Sequence, residues 1–537
     1  MNSIFLITAA KALLALFVLN AALAMSNLWP TPFVYIDSRV APEFVYTWCL
    51  LLGLYLFRSN TVLSRRALTS LAIIYTLLVL GRYFDTTAPA LFGRPINLYW
   101  DGLQIPRLLL VLSGKYAWWV PPLVVVAIAA LVVGLFFVIR WALKNCSEVS
   151  VPYTLRSRWA QGITVFFLIS SIANFLGMQQ TWGYISRPVL PTYWAQAKVL
   201  FAAVIEGNSK IVLPESPLFS SDLAMLSRAD FKLFFLESYG AVTYDNPQMK
   251  QELTEDRANL IVQAQKAGFS VVSAFVKSTT FGGGTDLAHM ALLSGVDTRD
   301  PIRHDILLTT KRPTLIKHFN SQGYESFGFY PGLDWEWAEG SFFGYQHLVD
   351  ARTLKYEGPA IGYWKIPDQY ALARFKELHP ITPMSKPRLL LFASSTSHSP
   401  FHPVPPYQAD WSRLLSKTPF DASDIARIEK TKTNWLDMVP GYTGMMAYNF
   451  KWLAGYFSQK HERDFVMLAL GDHQPTSNIT GEGASWDVPV HFFVKQPELM
   501  TRLKAAGFEE GLYPKRKAIA SLPELTTLLL KVLNHGQ

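Results

Sequence analysis

The sequence predicts two dissimilar parts: an N-terminal five-helix transmembrane domain, then an exported α/β domain with a mainly parallel central sheet. Three observations predict it. Five long apolar stretches dominate residues 1–180. From about residue 228, short apolar runs alternate with longer amphipathic ones, the pattern of strands joined by helical crossovers. Chemically capable side chains fall at or just past the ends of four of those runs, at the edge where open α/β sheets gather ligands.

The candidate spans are 4–25, 43–57, 67–84, 117–140 and 159–178. A crossing helix needs ~20 mostly apolar residues, so the second is short and is expected to extend past its polar edge. The first has only a weak basic start and four more spans follow it, so it reads as an anchor and not a cleaved signal. Orientation follows from the short loops. Arg58, Arg65 and Arg66 stand in one, Arg140, Lys144, Arg156 and Arg158 in another. Five spans put both loops on one side, and basic loops stay cytoplasmic. Everything after about residue 180 is then expected outside. The segment 102–114, GLQIPRLLLVLSG, is too short and interrupted to span, and reads as a helix in or re-entering the interface.

Charge separates the same two parts. Of 49 Lys+Arg and 40 Asp+Glu, residues 1–180 hold 13 and 5, leaving 36 and 35 for the rest. A nearly neutral large domain speaks against nucleic acid as a partner, since binding it leans on many phosphate contacts. Both cysteines, Cys49 and Cys146, lie in the first third, so the remainder has no disulfide framework.

Residues 181–227 read as a linker along the membrane surface, with YWAQAKVLFAAVIEG as an interfacial amphipathic helix and PESP as its break. Residues 228–537 read as the exported, extracytoplasmic α/β domain. FKLFFLES (231–238) reads as a strand, QELTEDRANLIVQAQKAG as its crossover helix and FSVVSAFVKS (269–278) as the next strand. RLLLFASSTS (388–397), DFVMLALGDH (464–473) and VPVHFFVK (488–495) complete the strand-like runs, with helices between. Glu237 ends the first strand, Thr285 follows the second, His398 follows the run at 388–397, and Asp472 with His473 closes the last long one.

The stretch TFGGGTDLAHM places three glycines directly before Thr285 and a helical pattern after it. A glycine turn with a threonine helix cap would read the same way. Glycines also let backbone approach a phosphate, and a hydroxyl at a positive helix end is placed to act as a nucleophile. Glu237, Asp472 and His473 offer two carboxylates and an imidazole, with Thr285 as a fourth ligand. Such a set suits Mn²⁺ or Mg²⁺, and Zn²⁺ accepts it too. His398 is a candidate acid/base or phosphate donor. His402, in a Pro-rich loop, is expected at the rim, where it can line the pocket. His289, one turn after Thr285, is expected to be structural, and Asp286 to complete the helix N-terminus.

Taken in order, FLESYG, GGGTDLAHM, TSHSPF and LALGDHQPT with WDVPVHFFV resemble the alkaline-phosphatase/sulfatase superfamily. With five spans before an exported domain, the chain is similar to its lipoteichoic acid synthase-like branch of membrane phosphoglycerol and phosphoethanolamine transferases. The resemblance implies Glu237, Thr285, Asp472 and His473 as ligands of one divalent ion, Mn²⁺ first and Zn²⁺ or Mg²⁺ as alternatives. It further implies Thr285 as the nucleophile, and His398 and Trp335, within GLDWEWAEGSFFGY, as substrate contacts. Trp337 stands about where the synthases carry an arginine, and Gly284 where others have Lys or another residue. Absent cysteines separate the chain from Cys-dependent sulfatases and from disulfide-bearing lipid A phosphoethanolamine transferases. The implied activity is transfer of a phospholipid headgroup to a glycan or glycolipid acceptor at the outer, periplasmic face of a bacterial plasma membrane. A phosphodiesterase with the same site and a non-catalytic envelope sensor are the alternatives.

Overall fold

A computed structural model describes residues 3–28, 31–57, 63–92, 96–98, 101–102, 117–175, 184–204, 213–334, 337 and 339–535. The chain forms two compact units, Met1–Gly207 and Asn208–Gln537.

The first unit is helical: α1 (Ser3–Leu23), α2 (Pro42–Phe57), α3 (Arg65–Phe92), α4 (Val120–Asn145), α5 (Arg158–Phe175) and α6 (Leu190–Val204). Strands β1 (Met25–Asn27) and β2 (Val34–Ile36) form an antiparallel hairpin after α1. A helix stands at each of the five expected places. Three stretches, Leu6–Leu23, Arg65–Leu91 and Val120–Arg156, are long and apolar enough to cross a membrane. Helix α2 falls short at 16 residues, and the 18 residues of α5 are interrupted by Gln161, Ser170, Ser171 and Asn174. Residues 58–62 of the first basic loop and 103–114 of the expected interfacial segment lie outside the described residues.

Three buried polar side chains of this unit hydrogen-bond to its backbone. The Tyr75 hydroxyl donates to the Leu19 carbonyl at 2.7 Å. Arg82 Nε donates to the Met25 carbonyl at 3.0 Å, and Glu43 Oε1 accepts the Leu190 amide at 3.1 Å at the start of α6.

The second unit is built on one mixed sheet. Its strands are β3 (Asp230–Leu236), β4 (Ser270–Lys277), β5 (Glu325–Tyr330), β6 (His347–Asp350), β7 (Arg388–Ala393), β8 (Phe465–Gly471), β9 (Asp487–Val494), β10 (Glu509–Glu510) and β11 (Ala518–Ser521). Their order is β10-β4-β9-β8-β3-β7-β5-β6, with β11 added beside β4. The run β8-β3-β7-β5-β6 is parallel throughout. Strand β9 lies antiparallel to both neighbours, β8 and β4. The link is local: residues 472–486 join β8 to β9, their one helical piece is the single turn Ser477–Thr480, and the chain folds back without a crossover helix. Strands β5, β6, β10 and β11 were not among the expected runs; β6, β10 and β11 have four residues or fewer.

Period-2 alternation packs both faces. Phe234 and Leu236 of β3 join Leu260 of α7 (Thr254–Lys266) and Tyr442, Phe450 and Trp452 of α9 (Val439–Ser458) on one side. Phe231, Leu233 and Phe235 join Ala288 and Leu292 of α8 (Thr285–Ser294) and Leu525 and Leu529 of α10 (Leu522–Leu533) on the other. Leu236 of β3 pairs with Gly471 of β8. The residues that follow, Glu237 and Asp472, therefore leave the sheet side by side at its carboxyl edge.

Candidate metal centre

Glu237, Asp472 and His473 are buried together, each offering one ligand atom within 4.8 Å of the others. His473 Nε2 lies 3.3 Å from Asp472 Oδ2 and 3.5 Å from Glu237 Oε1. The ring is held by its other nitrogen: Nδ1–H donates to the Gln474 carbonyl at 2.8 Å, which leaves Nε2 to face the carboxylates. Asp472 Oδ1 accepts the Ser238 and His473 amides, each at 2.8 Å. Its Oδ2 is buried with no hydrogen-bond partner. A buried carboxylate oxygen without a hydrogen bond is costly, and a cation at this point would satisfy it.

The electrostatics agree. Burial and the Glu237 carboxylate push Asp472 up to about 6. Burial alone would lower the His473 imidazole, but Asp472 and Glu237 outweigh it and raise it above its ordinary value. Without a cation the cluster therefore holds protons more tightly than the same side chains in water, and a divalent ion competes for that place. Mostly oxygen donors with one imidazole fit Mn²⁺, Mg²⁺ or Zn²⁺.

Thr285 completes the group from the other side. Its Oγ1 donates to Glu237 Oε2 at 3.1 Å and lies 3.3 Å from His473 Nε2. The turn before it explains how. Gly282, Gly283 and Gly284 have φ of 68°, 141° and 80°, a succession that L side chains rarely adopt. The Gly282 amide donates to the Gln474 carbonyl at 3.0 Å, and Phe281 bridges to Gln474. The turn after β4 is thus pinned to the chain just past β8, across the end of the intervening β9. Thr285 is the first residue of α8, where the helix dipole favours negative charge.

His398 follows β7 and is half-buried, its ring stacked on Tyr363 with centroids 4.4 Å apart. Its neighbour Ser397 donates to the Glu237 carbonyl at 2.7 Å, so the His398 turn is tied directly to the ligand turn. His402 stands further along, with Nδ1 at 3.4 Å from Thr433 Oγ1. Neither histidine belongs to the three-ligand group. Trp335 lies outside the described residues. Trp337 packs on Tyr330 at 4.5 Å. His289 is buried against Phe235 at 4.0 Å, and burial pushes it down to about 4.

Several supporting side chains escaped sequence reasoning. Asn449 Nδ2 donates to Ser397 Oγ at 3.0 Å and is itself gripped by Trp452 Nε1 at 3.0 Å. The Tyr442 hydroxyl donates to the Ser238 carbonyl at 2.9 Å. All three come from α9, whose apolar pattern gives no hint of this task. Tyr363 and Trp364 flank His398; an aromatic pair between Gly362 and Pro367 was the available signal.

No protein-family model and no curated protein sequence matches the chain. Solved structures do match part of it. One is a protein in the alkaline phosphatase superfamily from Vibrio parahaemolyticus, 14% identical over 57% of this chain and 67% of that one, with TM-score 0.36. Another is the lipoteichoic acid synthase LtaP from Listeria monocytogenes, 14% identical over 53% and 69%, TM-score 0.34. A third is the C-terminal periplasmic domain of EcEptC from Escherichia coli, 12% identical over 60% and 86%, TM-score 0.38.

Proposed function

We propose that this chain is a metal-dependent membrane phosphotransferase that moves a phospholipid headgroup, phosphoglycerol or phosphoethanolamine, onto a glycan or glycolipid acceptor. One observation carries the reading: a hydroxyl at a helix N-terminus within 3.3 Å of buried Glu237 and His473, beside an Asp472 oxygen that has no hydrogen bond.

Glu237, Thr285, Asp472 and His473 would hold one divalent ion, Mn²⁺ being the first choice. The bound ion supplies Lewis acidity that polarises the phosphoryl group and lowers the threonine pKa. Thr285 Oγ1 gives up its proton to solvent water and bonds to phosphorus while the bond to the diacylglycerol oxygen breaks; the α8 N-terminus favours the charge that builds there. His398 is assigned the proton for the departing alkoxide, and His402 and Trp335 line the headgroup site. The acceptor hydroxyl then takes the phosphoryl group from Thr285 in the reverse geometry.

The membrane part, residues 1–180, would cross five times, with α2 and α5 completing the three long apolar helices. Residues 181–227 would run along the interface, and 228–537 would stand on the periplasmic side of a bacterial plasma membrane, as the basic loops direct.

Incubating the purified chain with Mn²⁺ and labelled phosphatidylglycerol or phosphatidylethanolamine tests the reading. Diacylglycerol release and a labelled Thr285 are expected, and Thr285→Ala should lose both, by at least about 10³-fold. Turnover retained in Thr285→Ala defeats the nucleophile. Label passing to water even with glycan acceptor present makes the chain a phosphodiesterase, and no bound ion with no turnover makes it a sensor.

A further inference from the structure

Residues 430–436, KTKTNWL, form an exposed loop between the helix Ala422–Lys430 and α9. Trp435 is 68% exposed and Leu436 76%. Among the described residues of the second unit, they are the only large apolar side chains exposed side by side in sequence. Lys430 and Lys432 are exposed as well, and neither forms an ion pair among the described residues, whereas their neighbour Arg427 is matched by Asp424 at 2.9 Å. A Trp–Leu tip behind two unmatched lysines costs a water-facing surface apolar area. It suits a bilayer interface, where indole rings settle at headgroup level and lysines meet anionic lipid. Among the described residues the same chain carries three helices long and apolar enough to cross a membrane, which makes a lipid surface the apolar partner to test first.

We infer that this loop is a membrane-contacting element that inserts Trp435 and Leu436 into the interface of an anionic phospholipid surface. Its position gives that contact a use. Thr433, at the centre of the loop, reaches His402 at 3.4 Å, and His402 shares its segment with the His398 turn tied to Glu237. Contact with lipid at the loop therefore bears on the segment that flanks the metal centre. The inference stands whether or not Thr285 is a nucleophile.

The test uses the full chain reconstituted in vesicles of phosphatidylglycerol and phosphatidylcholine. Leu436→Cys, in a Cys49→Ala/Cys146→Ala background, is labelled with an environment-sensitive fluorophore. Met384→Cys, at a site 92% exposed, serves as the comparison. The 436 label should emit to the blue of the 384 label and be quenched by spin-labelled lipid. Both effects should weaken without phosphatidylglycerol or with Lys430→Glu/Lys432→Glu. A Trp435→p-benzoylphenylalanine chain with both cysteines intact should photo-crosslink to lipid, which guards against failure of the cysteine-free background. Identical emission at 436 and 384 with no lipid crosslink overturns the inference. So does a blue shift that follows protein density and escapes lipid quenching, which would make a second copy of the chain the occupant.

Discussion

An Asp472→Asn substitution keeps the side-chain volume and the two backbone hydrogen bonds at Oδ1 while removing the charge at the unpartnered Oδ2. With no cation bound, burial and the Glu237 carboxylate push Asp472 from 3.8 up to about 6. At about 1.4 kcal/mol per pKa unit, the ionised form then costs about 3 kcal/mol of folding free energy. The sign follows from linkage: the folded chain holds this proton more tightly than the unfolded one. The cost is therefore absent below pH 3.8, grows as pH rises toward about 6, and is complete above. At neutral pH the metal-free Asn variant should be more stable than the metal-free parent by about 3 kcal/mol, and the gap should close on acidification. Mn²⁺ reverses the order, because it stabilises only the form that binds it. Denaturant unfolding of both chains in detergent, with EDTA or Mn²⁺ across this pH range, reads all of these. A metal-free Asn variant less stable than the parent refutes the unsatisfied charge. Stabilisation by Mn²⁺ equal in both chains refutes Asp472 as a ligand.

Two further substitutions probe what holds the centre in place. Ser397→Ala removes a buried hydroxyl that donates to the Glu237 carbonyl and accepts from Asn449, and should cost about 1–3 kcal/mol of stability. Mn²⁺ affinity by titration calorimetry should fall while one ion per chain is retained, and unchanged affinity would show that Glu237 needs no such support. Gly471→Ala would place a methyl group 1.8 Å from the Tyr239 carbonyl oxygen, where only backbone can give way. Proteolysis should find no protected second unit in this variant, and a resistant unit with normal Mn²⁺ binding would contradict the close approach of the two turns.

What was legible in the sequence is what local chemistry dictates. Apolar runs of β-branched and aromatic residues announced β3, β4, β7, β8 and β9, and the capable residues past their ends announced Glu237, Thr285, Asp472 and His473. Their convergence was inferable because parallel strands end at one edge. The antiparallel setting of β9 was not, since VPVHFFVK reads alike in either direction and the 15-residue link from β8 is long enough for both. Short strands such as β6, with four residues, lack enough period to stand out. The α9 contacts were invisible for another reason. Asn449 and Tyr442 sit within an apolar helix more than 200 positions from Glu237 and Ser238 in the case of Tyr442, whose separation from Ser238 is 204, and no local pattern encodes such a meeting. In the membrane part, hydropathy found a helix at each of the five expected spans but missed that 146–156, read as part of a basic loop, is helical too, and length and interrupting polar residues decide which spans can cross.

The pairing of Leu236 with Gly471 has a consequence for how such a protein can be altered. Both carboxylates that face the candidate ion depart from one rung at the middle of the sheet, whereas the turns carrying His398 and Trp337 hang from β7 and β5 toward its margin. Under the proposed function, the turn carrying Trp337 can be rewritten at the periphery while the rung of Glu237 and Asp472 is left untouched, whereas the His398 turn is bound to Glu237 through Ser397. An engineer wishing to retarget the chain would graft loops at the margin and leave the central strands alone.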